Sequence, residues 1–283
     1  MEIDSLSFSG GALKGISFIG ALKWLELNNI LPAVKFISGT SAGALFGLMV
    51  SLGYTYSEVR SIILKLDLYR LEDIELNTFF EEYGVATGVK IENFIRAILK
   101  KKGFSKDITF AELHAATGLT VSFLCCKLND CSQVVFNHES TPDFKVSTAC
   151  KISMSIPILW KCNKVGDDYL VDGCFSRNLP IHLHDPKSTL GFYLLSPDKP
   201  VAIASFTDYI LQINSSIFKK GQVLEIENSL SKGYVFVQLT SDSSSFNVDM
   251  SREEKMRIID RGYDECVLFF DKKQLSKDSS RFQ

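Results

Sequence analysis

The sequence predicts an α/β fold, on the strength of two successive strand, glycine turn and helix units and a set of helix caps further on. Residues 3–8 form an apolar strand through Ile3, Leu6 and Phe8 that stops at Ser9-Gly10-Gly11-Ala12-Leu13-Lys14-Gly15. Ile16, Ile19, Leu22 and Leu25 then keep helical spacing up to Asn28-Asn29. Residues 34–38 form a second strand, which feeds Gly39-Thr40-Ser41-Ala42-Gly43, and residues 44–52 leave that turn as an almost wholly apolar helix. Units of this kind pack as parallel βαβ pairs, so both turns fall side by side at one end of the sheet.

The second turn is a nucleophile elbow. A serine between a strand end and a helix start sits in a strained turn, and only small neighbours, here Gly39 and Gly43, leave its hydroxyl open. The helix behind Ser41 also places its positive end there, which favours negative charge. Gly39, Gly43, Gly47 and Ser51 recur every fourth residue, giving a stripe of small side chains on which the helix can lie close to its sheet. The first turn is an anion nest, since its glycines let successive N–H groups converge on one point. A nucleotide phosphate loop is disfavoured, because Gly-x-x-x-x-Gly-Lys-Ser/Thr is absent and Ala12 breaks Gly-x-Gly-x-x-Gly. Beside Ser41 the nest reads as an oxyanion hole, with amides of Gly10, Gly11 and Ala12 each worth about 3 to 4 kcal/mol if well placed.

At 283 residues and 46% hydrophobic, the chain can bury a substantial core. A formal net charge of −2 supplies no global attraction to nucleic acid or an anionic bilayer, so any such contact must be local. Seven cysteines scattered through apolar segments read as reduced thiols of a cytosol-type compartment, and none has a partner at zinc-type spacing. Asp4 and the early strand stand where a secretory signal would need basic and long apolar regions. The longest apolar run, residues 42–52, is shorter than the roughly twenty residues a membrane-spanning helix needs.

Thr55 with Glu58 forms a capping box for a helix through Leu66. Residues 67–88 read as a packed connection, with a cover over the site as the other option. Residues 90–102 form an amphipathic helix whose three terminal lysines suit the helix dipole. Thr109 with Glu112 caps a short helix to Thr117, residues 119–128 and 133–136 are two strands of a hairpin, and residues 146–155 are a short helix ended by Pro157. Residues 169–171 and 189–195 are strands, and helices over 206–217 and 251–270 flank a strand over 234–239. No repeat or linker divides the chain, so residues 1–274 are expected as one domain, with residues 275–283 a frayed polar tail.

Ser41 needs a base, and the residues offer two. A Ser-acid-His triad could use His182 or His184, the only histidines after Asp172. A two-residue Ser-Asp site could use Asp172, which stands at a strand end with Gly173 behind it.

Four blocks resemble the patatin-like phospholipase family: residues 9–15, residues 39–43, Ala-Cys-Lys-Ile-Ser-Met-Ser-Ile-Pro at 149–157, and Asp-Gly-Cys-Phe-Ser-Arg-Asn-Leu-Pro at 172–180. With their spacing they cover most of residues 3–195; nothing familiar is found past about residue 200. The resemblance implies a three-layer α/β/α fold with a mostly parallel sheet, a Ser41–Asp172 dyad, an oxyanion hole from the Gly10-Gly11 loop, and supporting roles for Lys14, Gly15, Gly39, Gly43 and Gly173. It further implies acyl-ester hydrolysis of phospholipids or related lipids through an acyl-enzyme, without metal or cofactor, with transient contact at membrane surfaces and no nucleic acid. A neutral-lipid or general carboxylesterase, and a catalytically silent lipid- or partner-binding protein of the same fold, are the readings it leaves open. Two positions depart from the pattern. Ala12 replaces the usual third glycine, which is tolerable if its φ is negative, and Cys174 replaces a small residue, with an effect expected on packing alone.

Overall fold

The computed structural model describes residues 2–71, 73, 75, 79–195, 203–204, 206–241 and 249–279. The chain opens with β1 (Ser5–Phe8), α1 (Ser17–Leu27), β2 (Phe36–Thr40) and α2 (Ala42–Ser51), the two expected strand–turn–helix units. Next come α3 (Tyr56–Lys65), α4 (Phe79–Glu82), β3 (Gly84–Ala86), α5 (Val89–Lys101) and α6 (Phe110–Thr117). Both predicted capping boxes close, Thr55 with Glu58 and Thr109 with Glu112. The hairpin follows as β4 (Thr120–Lys127) and β5 (Ser132–Phe136), then α7 (Val146–Ser153), β6 (Ile158–Trp160), β7 (Asn163–Val165) and β8 (Asp168–Asp172). The chain finishes with β9 (Thr189–Leu195), α8 (Phe206–Ser231), β10 (Val235–Thr240) and α9 (Arg252–Ser279).

β1 lies parallel between β2 and β9, with β10 parallel beyond β9 and β4 parallel beyond β2. β4 carries the arrangement that builds the site. Its residues 120–124 pair with β2, ending at Leu124 opposite Thr40. Cys125, Cys126 and Lys127 run past the end of β2 and pair with antiparallel β8, with Asp172 opposite Cys125. Along the same stretch β5 pairs with residues 123–127. A strand has two edges, so β5 fills one while β2 and β8 share the other end to end. The carboxyl ends of β2 and β8 therefore meet, one residue apart in the register of β4.

Two apolar cores sit on the two faces of the sheet. On one, Leu6, Phe8, Ile37, Phe123, Leu190, Phe192 and Val237 pack with α1, α2 and α9. Tyr193 and Phe236, which alternate with these along their strands, join Leu179, Ile181 and Ile226 of α8 on the other. The second face is covered thinly, by the turn Pro180–Leu183 and by α8, which completes the third layer.

Several boundaries differ from the sequence expectation. β6 and β7 are three-residue strands too short for a periodicity signal. α8 runs to Ser231 rather than 217: its pattern after Ile217 is masked by lysines and Gly221, which a long surface helix tolerates. α9 continues to Ser279, through most of the expected tail; residues 280–283, and parts of the connection at 67–88, lie outside the described residues. Among the described residues no helix is long and apolar enough to cross a membrane.

Of the expected stripe, Gly43, Gly47 and Ser51 lie on α2, whereas Gly39 belongs to β2 and faces the helix from the strand; the close approach of the two is a packing requirement. A Cβ on Gly39 would lie 2.2 Å from the Gly43 carbonyl oxygen, and one on Gly43 would lie 2.3 Å from that of Phe8. Both obstacles are backbone, which cannot rotate away. Gly43→Ala is expected to cost at least about 3 kcal/mol, whereas Gly221→Ala, with nothing within 4 Å of its new methyl, should gain about 0.5 to 1 kcal/mol. Urea unfolding of the two variants checks both signs.

Candidate active site

Ser41 follows the last residue of β2 and precedes the first of α2, with φ 55° and ψ −123°. Holding a non-glycine residue there costs roughly 1 to 3 kcal/mol. Several contacts fix it: Gly39 and Gly43 allow the tight approach, the Ser41 carbonyl accepts from the amides of Ala44 and Leu45, and its own amide donates to Ser153 Oγ at 2.9 Å. Ser153 Oγ in turn donates to the Leu124 carbonyl at 2.7 Å.

Asp172 arrives from the opposite direction at the end of β8. Its amide donates to the Ser155 carbonyl at 2.9 Å, and its Oδ1 accepts from the Cys174 amide at 2.9 Å. Oδ2 is buried with no hydrogen-bond partner, although the Ser41 hydroxyl is near enough to favour the ionised form. Burial pushes the carboxyl up to about 6, against the lowering by the Cys174 amide and Ser41. Gly173 makes the approach possible: a Cβ there would lie 2.2 Å from the Leu124 carbonyl oxygen and 2.9 Å from Thr40 Cγ2.

The glycine loop closes the third side. A Cβ on Gly10 would lie 2.2 Å from Cys174 Sγ, 2.9 Å from Asn178 Oδ1 and 3.1 Å from Ser41 Cβ. Gly15 lies as close to Ala42, 3.1 Å by the same measure. The loop's amides differ in use. Gly10 donates to the Asn178 carbonyl at 3.2 Å, so it is not available as expected; among the described residues, Gly11 and Ala12 donate to no carbonyl outside their own turn. Ala12 has φ 49°, contrary to the condition under which its alanine is easily tolerated. The left-handed region costs an alanine about 1 to 2 kcal/mol. Lys14 is buried, and that burial brings its ammonium down to about 8, with Lys219 lowering it further and Cys174 opposing.

Neither imidazole of the triad option enters this cluster. His182 Nε2 hydrogen-bonds Gln133 Oε1 at 3.0 Å, and His184 lies against the Phe36 ring at the opposite end of β2. Burial brings both down to about 4. Three participants carried no assigned role in the sequence: Ser153, Asn178 and Cys174, whose Sγ donates to Asn178 Oδ1 at 3.0 Å and so lines the site rather than only filling space. The available signal was that all three fall in the blocks at 149–157 and 172–180.

By layout this is an α/β protein whose three glycine-bearing turns meet at the carboxyl end of a mostly parallel sheet. The patatin-like phospholipase family model matches residues 6–184, and the chain belongs to that family. It is 26% identical over 269 residues to the uncharacterized protein R571 of Acanthamoeba polyphaga mimivirus, covering 89% of each chain. It is 28% identical over 184 residues to the probable lipid hydrolase 463L of Invertebrate iridescent virus 6, covering 63% of this chain and 62% of that one. Among solved structures, VipD from Legionella pneumophila has a TM-score of 0.66 at 14% identity, over 96% of this chain and 67% of that chain. The type III effector ExoU has a TM-score of 0.59 at 19% identity, and there this chain spans 54% of the neighbour. These two show the shared fold. Family membership supports lipid-ester hydrolysis as the class of chemistry.

The Asp172 environment has a thermodynamic consequence with a definite sign. Its folded-state pKa is raised from 3.8 to about 6, so protonation favours the fold: this stability is fully present below about pH 4 and is lost as pH rises through about 6. At pH 8 a neutral isostere should relieve the penalty. Asp172→Asn is expected to be more stable than the wild type there, by about 3 kcal/mol at most, with the difference closing below pH 4. Urea unfolding at the two pH values measures it, and an equal or lower stability at pH 8 would contradict the assignment.

Proposed function

We propose that the chain is a phospholipase A-type acyl hydrolase in which Ser41 is the nucleophile and Asp172 the base. The observation that carries the reading is the buried, unpartnered Oδ2 of Asp172 beside a serine held at positive φ. A carboxylate near pH 6 is ionised at neutral pH and basic enough to take a proton as the hydroxyl attacks.

In this scheme Ser41 Oγ bonds to the ester carbonyl carbon while its proton passes to Asp172. The carbonyl oxygen becomes an oxyanion held by the amides of Gly11 and Ala12, with Gly10 setting the loop through Asn178. Collapse of the intermediate breaks the bond to the alcohol, and protonated Asp172 returns its proton to the leaving oxygen. Water then attacks the acyl-Ser41 ester, giving a proton to Asp172; the bond from the acyl carbon to Oγ breaks, Asp172 returns that proton to Oγ, and the fatty acid leaves. The chain supplies base and oxyanion donors, so no step calls on a metal. We assign Gly39, Gly43 and Gly173 to the close backbone approach, Gly15 to the contact with Ala42, and buried Lys14 to the loop beneath. Residues 1–274 act as one domain in this reading, and the seven free thiols favour a cytosol-type compartment.

A fluorophosphonate probe and mixed phospholipid vesicles test it together. Labelling and fatty-acid release should both vanish in Ser41→Ala; Asp172→Asn should lower release by about a thousandfold or more. The double variant His182→Ala with His184→Ala should keep near-normal turnover. Its complete loss of activity with the fold intact would favour a histidine base, absence of labelling in the wild type would favour a silent binding protein, and release from neutral esters alone would make it a carboxylesterase.

A further inference from the structure

α8 is apolar on more than its buried side. Its inward side mixes Ile210 and Ile226, which pack into the cores, with polar contacts: Gln222 Nε2 donates to the Leu194 carbonyl at 3.4 Å, and Glu225 accepts from the Leu179 amide and the Tyr193 hydroxyl, each at 2.9 Å. Asn214 and Ser229 are buried on the same side, with Phe218 edge-on to Phe175 at 4.8 Å. The outward side carries an apolar stripe, broken by exposed Ser216 and Glu227. Tyr209, Ile213, Ile217, Val223 and Leu224 are 51, 39, 52, 59 and 63% exposed. At helical spacing these five fall within an arc of about 120°, opposite the inward side. An apolar stripe of this length facing water marks a surface that meets something apolar.

The helix also stands over the site. Phe175, on which Phe218 rests, is three residues past Asp172, and Glu225 holds the Asn178-Leu179 segment that receives Gly10. The charge of α8 does not set this face apart, since Asp208, Glu225 and Glu227 offset Lys219 and Lys220. Exposed apolar side chains beside a lipid-ester site suit the acyl region of a phospholipid surface.

We propose that the outer face of α8, through Tyr209, Ile213, Ile217, Val223 and Leu224, docks the chain on a phospholipid bilayer with the Ser41 site directed at the membrane. This rests on the lipid-hydrolase reading for its occupant. Contact with lipid and access to the site become one event.

The triple variant Ile213→Asp, Ile217→Asp and Leu224→Asp in the full chain tests it by flotation with vesicles of equal parts phosphatidylcholine and phosphatidylserine. The wild type should float, and the variant's floating fraction should fall about tenfold or more. Hydrolysis of the soluble ester p-nitrophenyl butyrate should stay within about twofold. Flotation of the variant like the wild type would overturn the proposal, as would light scattering showing that the substitutions only dissociate a dimer. If the triple variant does not fold, Ile217→Trp serves instead. Its emission should move to the blue on adding vesicles, while that of Leu27→Trp, at a 66% exposed position on α1, should not; an unmoved Ile217→Trp spectrum overturns the proposal. Ser41→Ala separates the two readings, since it should float normally and hydrolyse neither substrate. A wild type that floats but hydrolyses nothing would sink the catalytic reading and leave the docking face standing.

Discussion

The structure depends on one pairing offset: β4 continues three residues beyond the end of β2, and β8 binds that overhang in the antiparallel sense. Because β5 occupies the other edge of β4, β8 can only come in line with β2, carboxyl end to carboxyl end. Two residues far apart in the chain are thereby set against each other by backbone hydrogen bonds. Ser153 and Ser155 brace the joint, one holding the Ser41 amide and the Leu124 carbonyl, the other the Asp172 amide. The position of the two side chains is thus a property of the sheet rather than of a loop.

That geometry is costly. Ser41 and Ala12 both occupy positive φ, and Asp172 is buried with an oxygen unpaired. Each is the kind of local cost that persists only where surrounding structure over-determines it. Here the determinants are the dense core on one face, where Phe8 meets Phe18, Phe46 and Phe192, and the glycines that let backbones touch. Ala12 is instructive, since a glycine would relieve its strain. Its methyl narrows the conformations open to the loop.

Much of this was legible in the sequence. The elbow, the glycine loop, both capping boxes and the parallel pairing of β1 with β2 follow from residue types whose local chemistry admits few alternatives. The commitment of the Gly10 amide to Asn178 was not legible, because it depends on where the 172–180 segment passes. The sign of φ at Ala12 was equally hidden, as alanine carries no turn signal. The length and orientation of α8 escaped for another reason: apolar and polar residues occur on both its sides, with Ile210 and Ile226 inward beside Asn214 and Glu225 and Ile213 and Ile217 outward, so a reading that assigns apolar positions to the core has no clear pattern to find there.

The blocks on which the family resemblance rests, residues 9–15, 39–43, 149–157 and 172–180, come together around one small volume, while α8 lies outside them and joins that volume to the surface. The central claim is that a carboxylate, not an imidazole, governs the serine. The pH dependence of kcat/KM on a soluble ester tests it most directly. Loss of activity through a single ionisation near pH 6, where buried Asp172 titrates, is the expected result. Activity that holds through pH 5 and breaks only near 4, where burial places His182 and His184, would contradict it.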